Sequence, residues 1–237
     1  MCGAFAHDYN NILGSQIGFC QLEQEMLTAD HKAYMFISEA LKVAERGKAS
    51  LGELLNAIRG NASAATPAMV FSPYMIIEDV VKKISLTLPP NIVLHSENLD
   101  KTLKIKGVVA SLDRIISNLA NNALFAMKKT GGSLTFVLSQ EVLDNQLVTP
   151  YAPPVPAGSY AKMEISDTGT GMDSGTLERI FAPFFTTKAP GEGLGLGLSS
   201  ALRLLKEGNA YFTVQTTLGE GTTFYLYWPL ETETKEE

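Results

Sequence analysis

Apolar residues recur at every seventh position in two segments at the start of the chain, and this repeat constrains the fold more than any other feature. Residues 5–27 carry one row of Phe5, Ile12, Phe19 and Met26 beside a second row of Ala6, Leu13, Cys20 and Leu27. Residues 31–59 keep the spacing with Ile37, Ala44, Leu51 and Ile58. Such repeats favour helices that pack as a coiled coil or a bundle. Because the turn between the segments is short, they predict an antiparallel helical hairpin. Two helices enclose only part of their apolar surface, so we expect dimerisation into a four-helix bundle.

The remainder of the chain alternates short strand patterns with amphipathic helices. Residues 60–68 are small, polar and contain proline, which is typical of a linker. Beyond them, residues 109–129 predict a strong amphipathic helix, and residues 211–228 predict a terminal hairpin of strands. Residues 142–158 are rich in proline and predict a surface loop. We therefore predict an α+β fold: a helical hairpin over 1–62, a two-layer α/β sandwich over 69–230 with a mostly antiparallel or mixed sheet, and a flexible tail over 231–237.

Composition narrows the classes of partner. The chain has 237 residues, with 19 Lys and Arg against 25 Asp and Glu, which gives a net charge of −6. This acidic balance argues against nucleic acid or an anionic membrane as the main partner. No apolar run approaches the roughly 20 residues of a membrane span, so direct membrane contact is not expected of this segment. The two cysteines, Cys2 and Cys20, suggest no disulfide framework and favour a reducing, cytoplasmic setting.

The first helix carries a polar face opposite its apolar rows. At about 100° per residue, His7, Asn11, Gly14, Gly18, Gln21 and Glu25 share this face. Two glycines inside a helix cost about 1 kcal/mol each relative to alanine, which makes sense if something large must approach His7 closely. Asp8 could orient the imidazole or accept its proton, and such an imidazole is a competent nucleophile. The alternative is a solvated helix face with an incidental histidine.

Polar and glycine-rich elements further along suggest a nucleotide site. Asn118 and Asn122 lie one helical turn apart, where their oxygens could meet at a Mg²⁺, although a solvated helix face gives the same pattern. Asp167-Thr168-Gly169-Thr170-Gly171-Met172 follows a strand. There an aspartate could accept a hydrogen bond from an exocyclic amine and glycines could admit a flat ring; an ordinary turn is the alternative.

Residues 191–198 (GEGLGLGL) open a helix whose N-terminus favours phosphate, and the pattern is not that of a P-loop. Its alternative, a flexible linker, fits poorly because leucine alternates with glycine. Residues 181–188 (FAPFFTTK) could anchor or release a lid and place Lys188 at a terminal phosphate, or could form an aromatic turn that packs in the core.

Together these segments resemble the catalytic core of a two-component sensor histidine kinase over essentially the whole chain. Residues 5–13 (FAHDYNNIL) resemble the phosphoacceptor H box in its HDxNN form, which is typical of hybrid and phosphorelay kinases. Residues 112–127 resemble the N box, 167–172 the G1 box, 181–188 the F box and 191–199 the G2 box, while 219–224 (GEGTTF) resemble the closing strand motif. The order and spacing of all these boxes make the resemblance specific, and it implies the ATP-binding fold shared with gyrase.

The resemblance also implies roles, residue by residue. His7 would take the γ-phosphate of ATP, Asp8 would be its general base, and Asn11 would hold water for dephosphorylating a partner regulator. Asn122 would bind Mg²⁺, with Asn118 supporting the phosphate region. The remaining ATP-binding residues would be Asp167 at the adenine amine, Gly169 and Gly171 around that pocket, Thr222 near the adenine, Lys188 at the phosphates, and Gly193, Gly195 and Gly197 in the lid.

Three positions depart from the family pattern. Phe125 stands where a charged or polar residue is usual, Leu194 replaces a threonine, and Asn209-Ala210 replaces a common Gly-Gly. None removes a core ATP ligand.

The resemblance therefore implies autophosphorylation of His7 and transfer to an aspartate of a response regulator receiver domain, with a homodimer through the hairpin. Two alternatives stay open: a phosphotransfer or scaffold module with weak ATP turnover, suggested by Phe125, and a mainly phosphatase-acting kinase, suggested by Asn11. Because His7 lies so near Met1, we expect a longer protein with a sensor or membrane region ahead of this segment.

Overall fold

The computed structural model of the chain describes residues 2–28, 31–59, 67–189 and 192–231. Within the helices, residues 2–10, 42, 46 and 48–59 are described by their backbone alone. Contacts divide the chain into two units, one comprising Met1–Ala65 with Pro183–Leu196 and the other Thr66–Ala182 with Gly197–Glu237. The predicted domain limits at 62 and 69 fall at or near residues 60–66, and nearly all of the predicted tail is 232–237; both stretches lie outside the described residues, so these limits stay a prediction.

The first unit is built on two long helices, α1 (Cys2–Glu25) and α2 (Lys32–Arg59), and the predicted hairpin is confirmed. Gln24 Nε2 donates to Ser38 Oγ at 2.7 Å, near the turn. Further along, the methyl groups of Leu13 lie 3.9 and 4.0 Å from the position that a Cβ on Gly47 would take. The contact residue with the higher number on α1 meets the one with the lower number on α2, so the helices run antiparallel. The imidazole Nδ1 of His31 accepts the backbone N–H of Ala33 at 3.2 Å and so caps the start of α2.

The two predicted apolar rows of α1 have different environments. Leu13, Cys20 and Leu27 are half-buried, which places their row against α2. Ile12, Phe19 and Met26 are exposed, although all three are large and apolar. On α2, Leu41 is buried while Met35, Phe36 and Val43 are exposed. The hairpin therefore uses one row for its own packing and leaves the other in solvent.

The second unit contains a five-stranded sheet covered on one face by helices. Its elements are β1 (Met69–Phe71), α3 (Pro73–Ser85), β2 (Ile92–Leu99), β3 (Ile105–Gly107), α4 (Val109–Ala126), β4 (Gly132–Leu143), β5 (Gly158–Asp167), α5 (Ser174–Leu177), α6 (Gly197–Glu207), β6 (Tyr211–Thr217) and β7 (Gly221–Pro229). The strand order is β2-β4-β5-β7-β6, with β2 parallel to β4 and every other pair antiparallel. A separate pair joins β1 to β3. The predicted α+β class and mixed sheet are confirmed.

Inward-facing side chains of the central strands form rows across the sheet because cross-strand partners share a face. One row joins Met163, Leu226 and Phe212, and the next joins Ile165, Phe224 and Val214. All six are buried, and α4 packs Leu112, Ile115, Ile116 and Leu119 above the same sheet. The third row is Asp167, Thr222 and Thr216, so the apolar rows end in polar residues at one edge of the core.

The proline-rich segment is more ordered than the sequence indicated. β4 continues to Leu143, and an isolated bridge pairs Leu147 with Val155. Val155 is fully buried and packs with Tyr160 and Tyr227 on the face of the sheet away from the helices. The proline-rich composition indicated a surface loop, whereas Leu147 and Val155 within it pack against the sheet. Among the helices described, none is both long and apolar enough to cross a bilayer.

Candidate functional site

Asp167 ends β5 as a buried carboxyl group. Its Oδ1 accepts the backbone N–H of Gly169 at 2.8 Å, and the backbone N–H of Thr222 also bonds to the carboxyl group. Burial raises the pKa of Asp167 above its ordinary value, and these two hydrogen bonds offset only part of the rise. A buried carboxylate needs hydrogen-bond donors, so the site is suited to a ligand group that carries N–H bonds.

The two predicted glycines of the adenine pocket lie beside Asp167, each in a place where a side chain does not fit. A Cβ on Gly169 would stand 2.7 Å from the Cβ of Ala126, at the end of α4. Gly171 has a φ of +57°, and a Cβ there would stand 1.9 Å from the carbonyl oxygen of Thr217. The loop is thus pressed against both α4 and the β6–β7 turn, which leaves its backbone close to Asp167.

Thr216, which the sequence analysis did not single out, joins this loop to the last two strands. Its hydroxyl accepts the backbone N–H of Met172 at 2.9 Å and donates to the carbonyl oxygen of Gly221 at 3.0 Å. It also lies 3.0 Å from the hydroxyl of Thr222, which is buried. A signal was available in the sequence: inward positions 212 and 214 of β6 are apolar, and the alternation breaks at Thr216.

The predicted phosphate region connects two helices of the second unit. Asn118 Nδ2 donates to the carbonyl oxygen of Gly197 at 3.1 Å, which ties the middle of α4 to the first residue of α6. Asn122 lies one turn further along α4 and is half-buried. Within the described residues no cluster of three or more His, Cys, Asp or Glu side chains could hold a metal ion. A cation at this place would therefore depend on amide oxygens and on the oxygens of a bound ligand.

Lys188, Gly193 and Gly195 belong to the first unit and are described there. The backbone N–H of Lys188 donates to the hydroxyl of Thr186 at 3.1 Å, and the lysine side chain is half-buried. Phe184 N–H donates to the carbonyl oxygen of Gly195 at 3.0 Å, so this segment closes on itself. Residue 191, the first of the predicted G2 box, lies outside the described residues.

The predicted phosphoacceptor segment lies in α1. The backbone of His7 and Asp8 is helical, and their side chains lie outside the described residues. Asn11 is exposed, and its carbonyl oxygen accepts the hydroxyl of Ser15 at 2.9 Å. A Cβ at Gly14 or Gly18 would meet no atom within 4 Å, so the backbone is bare there as predicted.

Two of the three departures from the family pattern, Phe125 and Asn209, have local accounts. The Nζ of Lys128 lies 5.8 Å from the centroid of the Phe125 ring. Phe125 carries no charge itself, but this lysine places a positive charge beside it. Leu194 is half-buried. Asn209 has a φ of +52°, the left-handed conformation that commonly follows a helix, and asparagine tolerates it better than most residues. The loss of glycine at 209 is therefore compatible with the turn after α6.

Comparison with known proteins places this geometry in a family. Residues 107–232 match the model of the histidine kinase-, DNA gyrase B- and HSP90-like ATPases. The sensor kinase CckA of Brucella abortus is 28% identical, covering 99% of this chain and 24% of that protein. Sporulation kinase C of Bacillus subtilis is 27% identical, covering 98% of this chain and 49% of that protein. The chain thus spans about a quarter of one of these relatives and about half of the other.

Solved structures give the same fold. Full-length ShkA in complex with AMPPNP superposes with a TM-score of 0.72 at 20% identity, covering 97% of this chain and 45% of that one. The mycobacterial sensor histidine kinase MprB superposes with a TM-score of 0.54 at 17% identity, covering 69% of this chain and 98% of that one. The resemblance to the catalytic core of sensor histidine kinases is confirmed, and the chain belongs to the family of histidine kinase-, DNA gyrase B- and HSP90-like ATPases.

Proposed function

We propose that this chain phosphorylates His7 with the γ-phosphate of ATP and passes the phosphoryl group to an aspartate of a response regulator receiver domain. Membership of an ATPase family supports ATP as the nucleotide. The observation that carries the proposal is the buried carboxyl group of Asp167, held by two backbone N–H groups beside a loop that excludes side chains. The acceptor, His7, lies on the helical hairpin of 1–62, and the nucleotide site lies in the domain of 69–230.

In this proposal the adenine amine donates to Asp167, with Gly169, Gly171 and Thr222 around the ring. The phosphates lie near the N-terminus of α6, where the positive end of the helix dipole favours anions. Gly193, Gly195 and Gly197 let the backbone approach them, and Lys188 neutralises the terminal phosphate. Mg²⁺ fits this donor set, because it keeps several waters and phosphate oxygens and needs only an amide oxygen such as that of Asn122 from the protein. When bound, it would neutralise charge on the phosphates.

The transfer itself makes one bond and breaks one. An imidazole nitrogen of His7 forms the N–P bond as the bond from phosphorus to the bridging oxygen breaks, and ADP leaves with that electron pair. Asp8 takes the proton from the other imidazole nitrogen, so the product is a neutral phosphohistidine ring. The protein's main contribution is to position the two reactants in line.

Two surfaces of the hairpin support the two partners that we propose. The exposed row of Ile12, Phe19 and Met26 supports a homodimer that completes a four-helix bundle. The bare backbone at Gly14 and Gly18, on the face of His7, supports docking of the receiver domain. Asn11, one turn from His7 on the same face, would orient water when the regulator is dephosphorylated.

The test is incorporation of label from [γ-³²P]ATP with Mg²⁺. We expect acid-labile label on the wild-type chain and none on His7→Gln. His31→Gln and His95→Gln are matched controls, since the chain has 3 histidines in all, and both should label normally. Full labelling of His7→Gln would refute the assignment. Tight ATP binding without any label on the wild type would instead favour the phosphotransfer or scaffold module.

A further inference from the structure

The row of polar residues that ends the core has one hydroxyl hydrogen whose direction is fixed. Thr216 in β6, Thr222 in β7 and Asp167 in β5 are cross-strand partners and share a face of the sheet. A threonine hydroxyl offers one hydrogen and two lone pairs. The oxygen of Thr216 has three partners: the N–H of Met172, the carbonyl of Gly221 and the hydroxyl of Thr222.

These three contacts can be satisfied in one way only. The carbonyl of Gly221 has no hydrogen, so it must receive the single hydrogen of Thr216. The N–H of Met172 takes one lone pair of Thr216. The contact of 3.0 Å with Thr222 must then be a bond that Thr222 donates to the remaining lone pair.

We infer that Thr216 is a specificity-determining residue, which acts by turning the Thr222 hydroxyl into a pure acceptor beside Asp167. With its hydrogen committed to Thr216, Thr222 has only lone pairs left for a ligand. The ionised carboxylate of Asp167 likewise only accepts. Both groups are buried, so an unmatched ligand atom there cannot be satisfied by bulk water.

An acceptor-only pair selects purines by the substituent at position 6. Adenine carries an amine there, with two N–H bonds, whereas hypoxanthine carries an oxygen that accepts. Opposite Thr222 and Asp167 the oxygen would face lone pairs, which is a mismatch in a buried site. Thr216 touches no nucleotide in this account; it is a positioning residue that acts through Thr222. The inference rests on the proposed function, because it assumes that the purine lies at Asp167.

The test compares the dissociation constants of ATP and inosine triphosphate, which differ at position 6 and at the neighbouring N1, an acceptor in adenine and an N–H donor in hypoxanthine. The N1 difference is the same in every variant, so the ratio is compared between variants. Thr216→Val keeps the shape and removes the hydroxyl, so Thr222 becomes free to donate to the oxygen of hypoxanthine. We expect the ratio Kd(ITP)/Kd(ATP) to fall about tenfold, the value of one hydrogen bond. Thr216→Ser should keep the wild-type ratio. Thr213→Val is the matched control, because Thr213 is a buried threonine of the same strand with its side chain on the opposite face.

A double-mutant cycle separates this role from general support of the fold. In a Thr222→Val background, Thr216→Val should leave the ratio unchanged, because the residue through which it acts is gone. A ratio that stays at the wild-type value in Thr216→Val overturns the inference, as does an equal fall in Thr216→Ser. If Thr216→Val fails to fold, Thr222→Val decides: its ratio must fall, and an unchanged ratio overturns the inference. A wild-type chain that binds neither nucleotide overturns the proposed function as well, whereas ATP preference that survives Thr216→Val leaves that function standing.

Discussion

The hairpin of α1 and α2 and the sheet of the second unit differ in how much of their apolar surface they bury. The sheet and its helices bury 34 apolar residues, 29 of them larger than alanine, whereas Leu41 is the one buried apolar residue described in the hairpin. Phe19 is 68% exposed on α1. The sheet therefore carries its own stability, while the outer row of the hairpin is exposed in the single chain and is covered only in the homodimer that we propose. The same division separates the chemistry we propose, with the adenine pocket at Asp167 in the sheet and the acceptor histidine in the hairpin.

Removal of Trp228 should give the largest effect and should affect the sheet alone. Trp228 is buried, donates from Nε1 to the carbonyl of Lys106 at 3.0 Å, and packs so tightly that a Cβ on Gly208 would stand 2.5 Å from its ring. Trp228→Ala should lower the free energy of unfolding by about 3–5 kcal/mol. Chemical denaturation followed by circular dichroism measures the loss. A change below about 1 kcal/mol would mean that the core is not closed around this residue.

A charge in the exposed row should break the dimer without unfolding the sheet. Phe19→Asp places a carboxylate where we expect the second copy to pack, and burying it unpaired is costly. Light scattering should report a monomer for the variant and a dimer for the wild type. Leu218→Asp is the matched control, because Leu218 is 67% exposed on the β6–β7 turn and should tolerate the charge. Equal dimerisation of Phe19→Asp and the wild type would contradict the difference between the two regions.

Acidification should lower ATP affinity while it raises the contribution that Asp167 makes to the stability of the unliganded sheet. Burial raises the pKa of Asp167 in the folded chain, so its contribution to stability is present below the unfolded pKa and is lost as pH rises through the folded pKa. ATP binding needs the ionised acceptor, so affinity falls as pH falls through that same folded pKa. Calorimetry and thermal melts between about pH 4 and about pH 7 measure both trends.

Asp167→Asn is the control for this pH dependence. It should lose ATP binding, and it should also lose the part of the stability trend that comes from Asp167. An ATP affinity that rises on acidification would contradict the proposed role of the carboxylate.

The smallest effect should come from the ion pairs on the outer face of the sheet. Lys162 Nζ lies 2.7 Å from Glu141 and 3.1 Å from Glu164, and its side chain is only partly exposed. Lys162→Met should cost about 1 kcal/mol of stability, because two carboxylates lose a shared cation near the solvent. The difference from wild type should shrink in high salt, as followed in denaturation curves. A loss as large as that of Trp228→Ala would mean that the outer face contributes as much to stability as the helix-covered core does, which would contradict this comparison.

The sequence predicts most of this fold because its patterns are local. The seven-residue repeats indicated both helices, and the alternation of residues 211–228 indicated the hairpin of β6 and β7. Local patterns do not tell which row of α1 faces α2, since Leu13 and Ile12 are equally apolar; the choice depends on tertiary packing. The packing of Val155 against Tyr160 and Tyr227 was missed because prolines dominate the sequence around it. Thr216 was missed because a threonine in a strand is ordinary, and only the register with Thr222 and Asp167 gives it a role.

The most direct test of the division between the two regions is to locate the phosphoryl group after reaction with ATP. Mass spectrometry at neutral to alkaline pH, which preserves phosphohistidine, would assign it to one of the three histidines. We predict phosphate on the segment of α1 that contains His7. Phosphate on His31, whose Nδ1 caps α2, or on His95, which lies in β2 of the sheet, would contradict it.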